Sequence, residues 1–295
     1  VAACGRVGFD AVPGGGDAGS ADAPGLDTPV CAAVSSDDWL PSPMPLDADK
    51  RYTVSADTTY VTDLVTGLVW QRDPVQQYDL PSATSYCATL TLGGCMQWRV
   101  PQRVELTTLI DHAFMGPAID PNAFPVTPVA GYWSATPQTS ANNAWEINFD
   151  NGNTFWNPTS TLNDVRCVYG GKAGTLPPAR YRAMSGAVVD LETGLTWQQP
   201  IDSVTYDQAG AVAHCAAITA PSNGWRLPEA GELETLVDAT RTNPAIDPTA
   251  FPGALSTIFW TNSPYGGAAF MIVDFATGNT INAVPTDTYN VRCVK

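Results

Sequence analysis

Any chemistry in this chain would have to come from two histidines, seven cysteines and a thin set of acids. A hydrolase needs a nucleophile with a base beside it, or two carboxylates facing each other across a bond. His112 and His214 do not offer the first arrangement. The chain is written twice, and the positions matching them in the other copy are Ala239 and Tyr86. His112 follows a helical apolar pattern and His214 abuts Cys215, so both read as structural. Acids kept in both copies include Asp63/Asp190, Glu105/Glu232, Asp111/Asp238 and Asp120/Asp247. Turns and caps account for Asp63 and Asp120, and a carboxylate at Glu105 or Glu232 suits the start of a helix. A lectin-type calcium site needs several oxygens converging. Asp120 and Asp247 are the acids it would draw on, although Asp120-Pro121-Asn122 becomes Asp247-Pro248-Thr249 in the second copy. The expectation is a protein that is not an enzyme and needs no cofactor, with calcium the one option left open.

The tryptophans separate into two sets. Trp70/Trp197, Trp98/Trp225 and Trp133/Trp260 are duplicated and read as core. Trp39, Trp145 and Trp156 are not duplicated. Trp156 lies in a polar, Asn-rich stretch at 150–164, where a large ring is conspicuous. Aromatic faces with amides beside them suit neutral sugars, offering stacking for the ring and hydrogen bonds for the hydroxyls. The candidate ligand-binding residues are therefore Trp145, Asn153, Phe155, Trp156 and Asn157, with Tyr265 a lesser candidate in the second copy. Where the first copy has Trp145 the second has Met271, and residues 281–285 are mainly aliphatic. The ligand site is thus expected in the first copy, with the second as scaffold or spacer.

These residues are carried by a repeated stretch. Trp98-Arg99-Val100-Pro101 precedes Leu106, Leu109 and Ile110; Trp225-Arg226-Leu227-Pro228 precedes Leu233, Leu236 and Val237. Each reads as a short strand ending in Trp-Arg, then a helix opened by proline at its first position and carrying one apolar stripe. Asp63 with Thr66-Gly67, and Asp190 with Thr193-Gly194, mark hairpin turns. Asp79 and Asp207 are N-caps for helices that carry Cys87 and Cys215. The fold class is α+β: two tandem domains, each with two short helices and small antiparallel sheets. The first copy runs over 50–170 and the second over 180–295, joined by a Gly/Pro hinge at 171–179. Residues 1–30 read as a low-complexity tail and 31–49 as an ordered lead-in.

Cysteine placement and charge set the compartment. Cys87 with Cys167, and Cys215 with Cys293, occupy matching places and join the first helix to the last strand of each copy. Loops of roughly 80 residues would each contribute about 4–5 kcal/mol at most by loop closure. Cys31 and Cys95 remain to pair, which leaves Cys4 alone. Such a framework belongs outside the cytosol. Val1-Ala2-Ala3-Cys4 resembles the lipobox of bacterial lipoproteins, so Cys4 is the expected lipidation site and the only route to a membrane. The formal charge of −15 is spread over the chain and disfavours nucleic acid and other polyanions.

Taken together, Thr-Gly-Leu-x-Trp-Gln (66–71, 193–198), the helical cysteine, Trp-Arg-Leu/Val-Pro (98–101, 225–228) and Pro-Ala-Ile-Asp-Pro (117–121, 244–248) resemble the C-terminal domain of the Legionella collagen-like adhesin. The Tyr/Phe-Trp pairs at 132–133 and 259–260 and the closing Val-Arg-Cys-Val at 165–168 and 291–294 belong to the same resemblance. It implies a fold similar to C-type lectins and formylglycine-generating enzymes, whose disulfide between first helix and last strand agrees with the pairing above. Adhesion in that family through sulfated glycans uses basic residues, and these acidic repeats lack a Lys/Arg cluster. A formylglycine-type activity needs reactive thiols, which the pairing leaves at no position but Cys4. The expectation is an exported bacterial surface or outer-membrane lipoprotein, or a secreted one, that binds a neutral glycan or another surface protein without catalysis. The alternative is a structural subunit of a self-assembling surface filament or layer, which leaves room for a homo-oligomer. Peptide mapping without reduction is expected to find Cys87–Cys167, Cys215–Cys293 and Cys31–Cys95. A Cys87–Cys95 bridge would overturn the equivalence of the two copies.

Overall fold

A computed structural model describes residues 51–74, 76–171, 180–201, 203–219 and 223–295. The tail, the lead-in and most of the hinge, with Cys4, Cys31 and Trp39, lie outside the described residues.

The first copy begins with strands β1 (Tyr52–Val54), β2 (Tyr60–Asp63) and β3 (Val69–Gln71), followed by helices α1 (Leu80–Thr89) and α2 (Arg103–Thr107). Strands β4 (Gly131–Pro137), β5 (Asn143–Asn148), β6 (Thr154–Pro158) and β7 (Val168–Tyr169) complete it. The second repeats the order: β8 (Tyr181–Met184), β9 (Ala187–Asp190), β10 (Thr196–Gln198), α3 (Gln208–Ala217), α4 (Ala230–Glu234), β11 (Ile258–Tyr265), β12 (Ala269–Asp274) and β13 (Asn279–Ala283). The α+β class, the duplication and the short antiparallel sheets are as the sequence led us to expect.

Local chemistry explains most elements. Asp79 Oδ1 accepts Ser82 N–H at 2.9 Å and Asp207 Oδ1 accepts Gly210 N–H at 2.8 Å, so both expected N-caps start α1 and α3. The disulfides Cys87–Cys167 and Cys215–Cys293 tie those helices to the closing segment, across 80 and 78 residues. Cys95 is also disulfide-bonded; its expected partner, Cys31, is outside the described residues. The six duplicated tryptophans are all buried.

The repeated Trp-Arg-x-Pro stretch departs from its sequence reading. It makes an isolated bridge, Arg99 to Val168, rather than a strand. Pro101 and Pro228 precede the N-caps Gln102 and Glu229 instead of taking the first helical position. Each helix is five residues long, and Leu109 and Ile110 continue it through single i→i+3 bonds. Glu105 does more than complement a dipole. It accepts Gln102 N–H at 2.7 Å and takes Arg99 in a bidentate pair at 2.7 and 2.6 Å. Arg99 also reaches Gly170 O at 2.7 Å, so one guanidinium ties the helix start to the end of its repeat. Arg226 and Glu232 reproduce the pair at 2.7 and 2.6 Å. Likewise Asp63 and Asp190 are turn acceptors that also hold Arg51 and Arg180, each by two hydrogen bonds.

The sheets do not stay within their repeats. One sheet has six strands in the order β11-β12-β13-β6-β5-β4, so the copies share it. The join is antiparallel, with Thr280 opposite Thr154. These two threonines are counterparts in the duplication, so the copies meet about a local two-fold axis, as identical subunits would in an isologous dimer. Both are fully buried, and Thr154 Oγ1 accepts Thr280 N–H at 2.9 Å. Close approach at the seam needs Gly278 (φ +86°), where a Cβ would come within 2.9 Å of Val237 Cγ1 and 3.2 Å of Trp145 Cη2.

Arg103 on α2 closes the seam. Its Nη2 donates to Gly278 O at 2.9 Å and Thr154 Oγ1 at 3.2 Å, and its guanidinium lies 4.7 Å from the Trp145 ring centroid. Glu234 on α4 is its counter-charge, 3.9 Å away, and both side chains are buried. The local symmetry is broken here, because Arg103 has Ala230 as its counterpart and Glu234 has Thr107. Arg103→Met is expected to cost about 3–5 kcal/mol, because Glu234 is left buried without its cation. Adding Glu234→Leu should recover part of that loss in urea unfolding; strictly additive costs would refute the coupling.

Candidate functional site

The hairpin of β5 and β6 carries the residues singled out for ligand binding, and its register decides what each can do. Trp145 stands opposite Trp156, and Glu146 opposite Phe155. Opposed residues share a sheet face and neighbours alternate, so Trp156 shares a face with Trp145 while Phe155 and Asn157 point to the other. The stretch expected as one polar loop therefore holds a strand, β6, at its centre, and its aromatic rings are divided between two faces.

Trp145 does not provide a stacking surface. It is 1% exposed, beneath Arg103 at the seam. Asn153 is also buried, and its Oδ1 has no partner among the described residues. Asn157 is half-buried and donates to Glu146 Oε2 at 2.8 Å, an oxygen that also accepts from Asn163. Tyr265 is half-buried on β11, three strand positions from β6, which places it roughly 14 Å away. Trp156 is different: at 41% it is the one exposed tryptophan among the described residues. The proposed cluster is thus not assembled, although its central residue is accessible.

What the sequence reading missed is a cleft between the copies, of about 690 Å³. One wall comes from the start of α2 and the end of β4, with Gln102, Arg103, Thr136 and Pro137. The other comes from the segment after α4, from β8 and from the turn holding Asp247. Arg103 and Glu234 line it from opposite sides. Burial lowers the pKa of Arg103, with Glu234 opposing, and burial raises that of Glu234, with Arg103 opposing. Arg103 Nε and Glu234 Oε2 have no hydrogen-bond partner among the described residues. The one available signal was the pair of unmatched positions, Arg103 against Ala230 and Glu234 against Thr107.

The acids considered for calcium have local duties. Asp120 Oδ1 accepts Asn122 N–H at 2.8 Å, and Asp247 Oδ1 accepts Thr249 N–H at 2.7 Å. Among the described residues no three His, Cys, Asp or Glu side chains converge as metal ligands would. His214 packs against Tyr206 with ring centroids 4.6 Å apart. His112 packs under Gly152, where a Cβ would fall 2.7 Å from His112 Cε1, and its Nδ1 has no partner among the described residues.

The family described as Lcl C-terminal domain matches the chain twice in tandem, over residues 59–169 and 186–295. No curated protein matches it. Among the described residues no helix is long and apolar enough to cross a membrane.

Burial pushes the His112 imidazole down to about 4, with nearby Asp111 opposing. A depressed folded pKa means that the unfolded chain takes the proton first as pH falls. Stability from this group is therefore complete above the unfolded value of about 6.5 and is lost on acidification towards about 4, by about 3 kcal/mol at most. His112→Gln is expected to flatten the dependence of unfolding free energy on pH in that window, compared with the parent chain.

Proposed function

The chain belongs to the Lcl C-terminal domain family, as two tandem members, and from that premise we propose that it is a surface-associated binding or adhesion protein for neutral glycans. The family match supports an adhesin-like, surface-associated protein, and the disulfides fit an exported one. The neutral class follows from charge. At −15, with Arg51, Arg99, Arg180 and Arg226 each paired with a carboxylate, the described residues offer little cationic surface to a sulfated polymer. Its role is binding without catalysis, and its attachment to the cell is through lipid at Cys4.

The observation that carries the glycan reading is Trp156, an exposed indole on a rigid strand whose sheet neighbour, Trp145, is fixed by burial. A ring held in this way stacks on a sugar face with little ordering cost. Area burial of about 25 cal/mol per Å² limits such a contact to a few kcal/mol before binding costs. Trp156→Ala is expected to weaken glycan binding about tenfold or more on an array or by calorimetry, with little change in melting temperature. Unchanged binding with a loss of several kcal/mol in stability would make Trp156 a packing residue.

A further inference from the structure

We propose that the cleft between the repeats binds an uncharged polyhydroxylated ligand, a sugar residue or polyol, held by Arg103 and Glu234. Its volume of about 690 Å³ lies in the range of small-molecule sites, which favour domain interfaces. The wall chemistry is more specific. Arg103 is buried to 4% exposure, yet its Nε has no acceptor and its Nη1 makes no hydrogen bond among the described residues. Glu234, at 5%, has no donor in hydrogen-bonding geometry at Oε2, although the Thr280 and Thr107 hydroxyls lie close enough to ease its burial. At 3.9 Å the two attract without bonding. Buried polar groups are nearly always satisfied, and a half-completed buried network costs more than an apolar seam. A group entering from the cleft with both hydroxyl donors and acceptors would complete it.

Two further groups on the cleft point the same way. The Tyr181 phenol and Asp247 Oδ2 make no hydrogen bond among the described residues, so the walls offer donors and acceptors together. Charge disfavours an anionic ligand. Arg180 is neutralised by Asp190, Asp238 by Arg241, and Arg103 by Glu234. Only Asp247 remains, and a carboxylate repels anions. The duplication adds an independent argument, since these charges occur once. Ala230 and Thr107 stand at the matching positions, so the fold of a single copy does not require them.

The inference deepens the glycan reading and adds a second seat for it. The test uses the full chain with maltotriose, chitotriose and mannotriose at millimolar concentration, read by calorimetry and amide hydrogen exchange. At least one trisaccharide is expected to slow exchange at 181–184 and 235–240. Ala239→Trp, which fills the cleft from a half-buried position, should lower that affinity about tenfold or more. The isosteric Glu234→Gln should lower it about tenfold and serves if tryptophan perturbs the fold. Cleft protection that persists in Trp156→Ala supports the site. Binding that is lost in Trp156→Ala and unaffected by Ala239→Trp and Glu234→Gln overturns the cleft and leaves the glycan function standing. Exchange unaltered by all three sugars, with no heat, means a water-filled cleft only and overturns both.

Discussion

The structure depends on the meeting of two counterpart strands at Thr154 and Thr280. A strand edge left open presents unpaired N–H and C=O groups, a liability when the strand is long and flat. Here β6 and β13 would each be the open edge of a three-stranded sheet. Paired antiparallel, they become the middle of a six-stranded one. The duplication is therefore structural as well as genetic: each copy covers the edge that the other would expose. Because counterpart residues face each other, the arrangement obeys the geometry of a symmetric dimer inside one chain.

Near-symmetry of this kind raises a question of specificity that Arg103 and Glu234 answer. Two first copies paired through the same edges would bury two arginines without a carboxylate. Two second copies would bury two glutamates without a cation. Only the mixed pairing places one opposite the other, so the charges select it while contributing little net stability, as buried ion pairs usually do. The same asymmetry leaves polar atoms facing a cleft, so the feature that specifies the join also supplies its chemistry.

Within each copy, arginine performs a different task. Arg166 and Arg292 lie wholly buried, 4.6 and 4.7 Å from the ring centroids of Phe124 and Phe251. They donate to carbonyls at the ends of β3 and β10. A guanidinium can do this where an ammonium would not, because it is planar, weakly hydrated and stacks on aromatic faces. The recurrent Trp-Arg and Val-Arg-Cys-Val blocks are thus two halves of one fastening: Arg99 ties α2 to the closing segment, and Arg166 ties that segment to the first hairpin and core. The disulfide beside it fixes the segment to α1.

Much of this was determined by the sequence alone, because the signals are local or duplicated. N-caps at Asp79 and Asp207, hairpins at Asp63 and Asp190, the core tryptophans and the two matched disulfides each follow from residues a few positions apart or from agreement between copies. The entry of α2 was misread because proline before a helix is compatible with either of two positions, and the capping side chain settles which. Trp145 and Asn153 were taken as accessible for a deeper reason. Polarity at 150–164 suggested a loop, but the strand it forms alternates faces, and Trp145 is hidden by a side chain from α2 that sequence distance does not reveal. The seam, the cleft and the burial of Arg103 depend on contacts between residues more than a hundred positions apart. Such contacts exist only once two separately legible units have docked, so tertiary structure alone decided them.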